Sequence, residues 1–361
     1  MNAYLDNSAT TRPSAAVAAV VSEMLESGWY NPSALYKPAL EIQKKIDGVR
    51  EICLKAAGAA GQTVIFTSGG TEADNLALLG HLKSRRKPGR VLISSVEHPA
   101  VSACADEIRK MGHTVEEIPA GKTGSVDLEK LEGMLDEDVL LISVMQVNNE
   151  TGAIEPLEEI VKLRNRKAPG AAIHVDGVQG FLRVPMDFNR LGIQSYAFSG
   201  HKIHGLKGTG ALIVRKDHAI RPVQFGGGQE GNLRSGTENT FGIIALGEAV
   251  RTWDPEAKVN GPEEDPLTCA PHILNVALMP VRSQTMLFAL EGDGVYVSAG
   301  SACASRKQKI SPVLKAMGVS TEQADCSLRF SLCAETTQEE IEYAVECAVK
   351  HYGMLKKFVR R

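Results

Sequence analysis

No uninterrupted apolar run in this chain is long enough for a membrane-spanning helix, so helical spans and the function classes that need them are not expected. The opening residues, MNAYLDNSATTRPS, lack the basic stretch followed by an apolar one that marks a secretory leader, which makes the cytoplasm the expected location. Cysteine is sparse and disordered in its spacing: seven residues, an odd number, none in a C-x-x-C pair. That argues against a disulfide framework and against a zinc knuckle, and no metal-ligand set is read. The charges, 40 basic against 43 acidic for a net of -3, form no long like-sign run. A nucleic-acid footprint is therefore not expected, and the substrate should be small. Internal repeats, low-complexity segments and long linkers are also missing.

What is present is a chain of 361 residues with 43% hydrophobic content, enough for one large domain and a smaller one. Short apolar runs rich in β-branched residues recur at Thr63 to Thr67, Arg90 to Ser95, Val139 to Val147, Ile173 to Asp176, Tyr196 to Ser199 and Gly210 to Val214. Helical patterns lie between them, such as Thr71 to Lys83, Ala100 to Lys110 and Pro156 to Lys167. This alternation predicts an α/β fold with a mostly parallel sheet sandwiched by helices and ligands at the C-terminal strand ends. After about Phe241 the pattern shifts to a helix, an acidic loop interrupted by Pro and Gly, and mixed short elements of α+β character.

Several motifs fall at those strand ends. SGGTEADN opens a helix at about Thr71, where the backbone N–H groups at Gly69 and Gly70, the Thr71 hydroxyl and the helix dipole suit a phosphate; a plain helix start reads the same way. SGHKIHG brings Lys202 to the ligand end of the sheet beside Ser199 and His201, surroundings that suit a lysine holding a carbonyl cofactor rather than a solvated one. In HVDGVQ, Asp176 can pair with a protonated pyridine nitrogen, which keeps pyridoxal phosphate an electron sink, and Gln179 can donate to its phenolic oxygen. An N-cap aspartate is the rival explanation. His98 in SVEHPA can stack on a flat ring and shuttle protons, or be a satisfied loop histidine. Asn149 in VNNETG can bond the phenolic oxygen or simply form a turn.

The blocks YLDNSATT, NPSAL, TSGGTEADNLA, SVEHPAV, VNNETG, HVDGVQ, FSGHKIHGLKGTG, FGGGQEGNLRSGTEN, SAGSACAS and SLRFSL, in this order, resemble the cysteine desulfurases of the NifS and IscS type. These belong to the class V aminotransferase group of fold-type I pyridoxal-phosphate enzymes. The resemblance implies pyridoxal 5'-phosphate held covalently by Lys202, stacked under His98, met at its ring nitrogen by Asp176 and flanked by Gln179 and Asn149. It implies a phosphate site from Gly70, Thr71, Ser199 and His201, completed by Thr237 of a neighbouring chain in a homodimer. It places L-cysteine on Arg329, with Asn31 and Asn149 alongside, and makes Cys303 the nucleophile that keeps a persulfide for an iron–sulfur scaffold or a tRNA-thiolation enzyme. Cys303 is flanked by small residues, which suit a mobile loop better than a core. The nearby Arg306, Lys307 and Lys309 can orient an acceptor or simply be solvated.

The resemblance also implies a division into a large cofactor domain, 13–245, and a small one from 1–12 and 246–361. The chain departs from the family at Tyr36 and Pro38, at Gly177 where alanine is common, and from Arg251 to Asp265, where a further helix is expected and Pro255, Gly261 and Pro262 forbid one. That shortening should expose apolar surface on the small domain's sheet and loosen Arg329 and Cys303. Two other functions share the cofactor residues: a selenocysteine lyase or other class V aminotransferase-like enzyme, and a catalytically weak cofactor-binding partner protein.

Overall fold

The computed structural model describes residues 1–253, 268–299 and 311–358. Its strands are β1 (Ala3–Tyr4), β2 (Thr63–Thr67), β3 (Arg90–Ser94), β4 (Thr114–Ile118), β5 (Val139–Met145), β6 (Ala172–Asp176), β7 (Ser195–Ser199), β8 (Gly210–Val214), β9 (Ile273–Ala277), β10 (Val295–Tyr296) and β11 (Ser327–Ser331). Seven of them form one sheet in the order β2-β8-β7-β6-β5-β3-β4. All its pairings are parallel except those of β8, which runs antiparallel to both β2 and β7. The six sequence-predicted strands are all in this sheet. The seventh, β4, is an edge strand whose sequence TVEEI carries two glutamates and is only partly buried, so it lacks the apolar run that announces the others.

Alternation along the strands explains why helices cover both faces. On β7, Tyr196 and Phe198 point into a core with Val17, Ile46, Phe181 and Phe188, while Ala197 between them joins the opposite core with Leu76, Leu78 and Leu82. The helices Gly70–Lys83 and Leu157–Lys167 match expectation, whereas the one expected over 100–110 is divided into Pro99–Ser102 and Cys104–Lys110. A third core joins Ala3 and Leu5 to Met286, Leu290, Val295 and Leu328, because β1 pairs in parallel with β10.

Residues 254–267, most of the shortened stretch, lie outside the described residues. Among the described residues, Leu274 on β9 is 58% exposed and faces an apolar groove with Val345 and Val349 of the helix Gln338–Leu355. Arg329 on β11 is nonetheless firmly mounted, as described below.

Gly177 has a packing reason. A Cβ there would come within 2.1 Å of the Tyr196 ring and 2.4 Å of its hydroxyl. Tyr196 is fully buried, and its hydroxyl donates to Gln146 Oε1 at 2.6 Å, so it cannot swing away. Gly177→Ala should therefore cost about 1–3 kcal/mol of stability by overpacking. Chemical denaturation checks this as a double-mutant cycle: the cost should shrink in a Tyr196→Leu background, and an equal cost in both backgrounds would contradict the steric account.

Candidate active site

Because β5, β6 and β7 are parallel and in register, Met145, Asp176 and Ala197 lie side by side. The turns that follow release their side chains at one edge of the sheet, joined by those following β2 and β3. There a cavity of about 240 Å³ is lined by Gly70, Thr71, His98, Asn149, Asp176, Gln179, Ser199, His201, Lys202 and Arg329, together with Ser8, Ala9 and Asp74. Ten of the residues singled out in the sequence thus converge on one space.

Lys202 ends a 3-10 turn, Gly200–Lys202, directly after β7. Gly205 must be glycine for this turn to close, since a Cβ would meet the Gly200 carbonyl oxygen at 2.9 Å. The Lys202 Nζ donates to the carbonyls of Ser8 at 2.5 Å and Ala9 at 2.8 Å. Burial, with the Arg329 and Arg183 charges nearby, pulls its ammonium down to about 7. A lysine held like this is ready to act as a neutral amine at physiological pH.

Asp176 is buried at the end of β6, with one oxygen accepting from the Val178 amide at 2.9 Å. Among the described residues it has no ion-pair partner. Burial first, then Asp74, push its carboxyl up to about 7, opposed by His98. Asp74 itself lies 3.2 Å from His174 Nε2. Burial raises Asp74 well above the carboxylate range and lowers His174 to about 4, while a cation in the cavity beside Asp176 would favour that residue's ionised form.

His98 is a hydrogen-bonded loop histidine that also lines the cavity. Its Nδ1 accepts from the Ala100 amide at 3.1 Å and caps the helix Pro99–Ser102, which leaves Nε2 as the protonated nitrogen. Burial, with Lys202 nearby, keeps the ring below the usual histidine range, so it lines the cavity as a neutral imidazole. Gln179 donates from Nε2 to the Ser8 carbonyl at 2.9 Å, leaving one N–H of that amide, while its Oε1 is buried without a partner. His201 Nδ1 lies 3.1 Å from the Thr10 hydroxyl. The helix Gly70–Lys83 begins without any side-chain cap on its N-terminal residue, Gly69, and a Cβ on Gly70 would meet Val178 at 2.5 Å. An anion can approach those amides as closely as glycine allows.

Arg329 is 1% exposed at the centre of its two-stranded sheet, donating to the Asn149 carbonyl at 2.8 Å and to Asp6 Oδ1 at 2.6 Å, with Nε buried and unpartnered. Asn149 meets it through its backbone. Two sequence-predicted residues are not in the cavity. Asn31 is exposed, and its Oδ1 is taken by the Ser33 amide at 2.9 Å, a local turn. Thr237 is also exposed, near the start of the helix Thr240–Arg251. Cys303, Arg306, Lys307 and Lys309 lie outside the described residues. Their described flanks are fixed against the cavity wall: Ser298 exchanges backbone hydrogen bonds with Arg329, and the Ser311 hydroxyl donates to Glu150 at 2.5 Å. Asp6, Ser8, Ala9 and Asp74 were missed as individual residues, although two of the quoted blocks contain them.

A family model for aminotransferase class-V matches residues 3–260 and 255–344. The chain belongs to this family. Among curated relatives of this class V chain, one from Dictyoglomus turgidum named "Cysteine desulfurase IscS" is 36% identical, the match spanning 95% of this chain and 92% of the relative. Another of that name, from Pectobacterium carotovorum, is 36% identical over 98% of this chain and 93% of its own. A solved "NIFS-LIKE PROTEIN" superposes with a TM-score of 0.90 at 31% identity, over 98% of this chain and all of that one. The class V chain has the fold-type I architecture of pyridoxal-phosphate enzymes, shown by its superposition on the NifS-like structure and matched by its mostly parallel, helix-flanked sheet.

Proposed function

We propose that this protein is a pyridoxal-phosphate-dependent cysteine desulfurase, converting L-cysteine to L-alanine and retaining the sulfur as a persulfide on Cys303. The observation that carries the reading is Lys202: an amine largely removed from water, held on two carbonyls, facing a buried carboxyl without an ion-pair partner, an uncapped helix N-terminus and a glutamine amide with one N–H left over. Each of these fits one part of pyridoxal phosphate. Lys202 would hold its carbonyl carbon, Asp176 its ring nitrogen, Gly70, Thr71, Ser199 and His201 its phosphate, and Gln179 and Asn149 the side of its phenolic oxygen, with His98 against the ring. Bound there, the cofactor supplies an electron sink that weakens bonds at the substrate's α-carbon.

The chain's own residues do the rest. Arg329 receives the substrate carboxylate, its fork of donors matching two oxygens, in exchange for Asp6 or through its free Nε. Lys202, near neutrality, accepts a proton at Nζ and returns it. The Cys303 thiol then attacks the substrate sulfur: the carbon–sulfur bond breaks as a sulfur–sulfur bond forms, and cysteine plus thiol become alanine plus persulfide with atoms and electrons balanced. The relatives' printed names carry the same activity. The exposed Thr237 suits completion of a partner's phosphate site in a homodimer, and the persulfide suits transfer to an iron–sulfur scaffold or a tRNA-thiolation enzyme in the cytoplasm.

Purified, cofactor-loaded protein given L-cysteine and a thiol reductant should yield alanine and sulfide in equal amounts. Cofactor bound without either product would instead favour the partner-protein reading.

A further inference from the structure

Strand β6 has two ends. Asp176, at its C-terminal end, lines the active-site cavity, while Ala172, at its start, lines a second, open cavity of about 530 Å³ on the other edge of the sheet. Four arginines border this second space, Arg85, Arg164, Arg190 and Arg215, with His218 and a single acid, Asp217. Arg215 is neutralised by Asp217, with two contacts of 2.9 Å, and Arg190 by Glu158 at 2.8 Å. The other two guanidiniums have no carboxylate partner among the described residues.

Arg164 is buried, 6% exposed. It donates to the carbonyls of Ala171 and Gly192 and to Gln194 Oε1, but its Nε is buried with no partner. Those oxygens are neutral, so they fix the side chain in place without balancing its charge. Arg85 donates from Nε to His81 Nε2 at 3.2 Å, an atom that also lies 3.2 Å from the Leu140 carbonyl oxygen. The Nδ1 of buried His81 lies 3.1 Å from His218 Nε2, so the two neutral imidazoles share one hydrogen bond. The two rings stack at 4.8 Å between centroids, 10° from parallel, so the outer imidazole is held rigidly. Burial and the Arg85 charge keep both rings neutral, His81 at about 3 and His218 at about 4.

A cavity that gathers two guanidiniums without carboxylate partners beside a rigidly stacked imidazole is built to receive negative charge. We propose that it binds a small dianionic oxyanion of the phosphate class, engaged by Arg85, Arg164 and His218. Planar guanidinium forks match phosphate oxygens in pairs, and an anion there would balance the Arg164 and Arg85 charges. The desolvated charge of Arg164, which needs no balancing if its role is only to tie loops together, gains its counter-ion.

The test uses protein loaded with pyridoxal phosphate, so that the active-site cradle is filled, and titrates inorganic phosphate against chloride at constant ionic strength while following the thermal unfolding midpoint. A saturable rise is expected for the parent. Arg85→Gln and His218→Gln should each weaken the apparent phosphate affinity about tenfold. Arg109→Gln, on an exposed pair with Asp106 elsewhere, should leave it unchanged. Both pocket variants keep the buried Arg164 clamp, so their folding is not at stake. No saturable shift in the parent, or parental affinity in both Arg85→Gln and His218→Gln, overturns the proposal.

Discussion

Cofactor-loaded Lys202→Ala protein should form alanine from L-cysteine at least about 10³-fold more slowly than the parent. The reason is positional as much as chemical. Nζ is fixed by the Ser8 and Ala9 carbonyls at the mouth of β7, and among the described residues no other amine lines the cavity. The same residue leaves a signature in the cofactor-free protein. Its ammonium is pulled from an ordinary 10.5 to about 7 in the folded chain, so between those values the unfolded chain binds the extra proton. Folding stability should then rise with pH from about 7 towards 10, the opposite of a lysine stabilised by an acid. Lys202→Met should flatten that rise, read as the denaturation midpoint at several pH values. A rise that survives in the variant would show that Lys202 is not the group responsible.

Asp176→Asn should lower kcat about 10²-fold, with weaker retention of the cofactor. An asparagine still accepts from the Val178 amide, so the turn after β6 is kept while the charge is lost. In the unliganded chain, burial and Asp74 hold the Asp176 carboxyl near 7, and a ring N–H cation beside it would draw it back to the ionised form. The expected loss is therefore one of charge stabilisation, visible in kcat rather than in folding. Parental kcat in the variant would remove Asp176 from the account.

Most of this site was legible because its residues follow strands, and a strand end is a local signal. The β-branched runs locate β5, β6 and β7, and the residues at or just beyond their ends, Asn149, Asp176 and Lys202, could be named from spacing. What stayed hidden depends on contacts between distant parts of the chain. Ser8 and Ala9 hold a lysine some 190 positions away, and nothing in YLDNSATT says that their carbonyls, rather than a side chain, do so. Asp6 meets Arg329 across 323 positions for the same reason. Asp74 sits inside a helix, where a buried acid reads like any polar residue until His174 is found beside it. Asn31 went the other way: its neighbours carry a family motif, but in this chain its side chain closes its own turn. Gly177 looked like a departure and is a compensated one, since Tyr196 fills the space a methyl would need.

The apolar groove beside Leu274 lies on the same two-stranded sheet that carries Arg329. Because Arg329 is tied to both Asn149 and Asp6, the wall beside the Cys303 segment is held despite the exposed apolar face. The most direct measurement is a single turnover: cofactor-loaded protein mixed with L-cysteine without reductant, scored for alanine and for the mass of the peptide containing Cys303. The account predicts one alanine formed per active chain and one added sulfur atom on that peptide, with neither appearing in Cys303→Ser. Alanine formed by Cys303→Ser at the parental rate would contradict it.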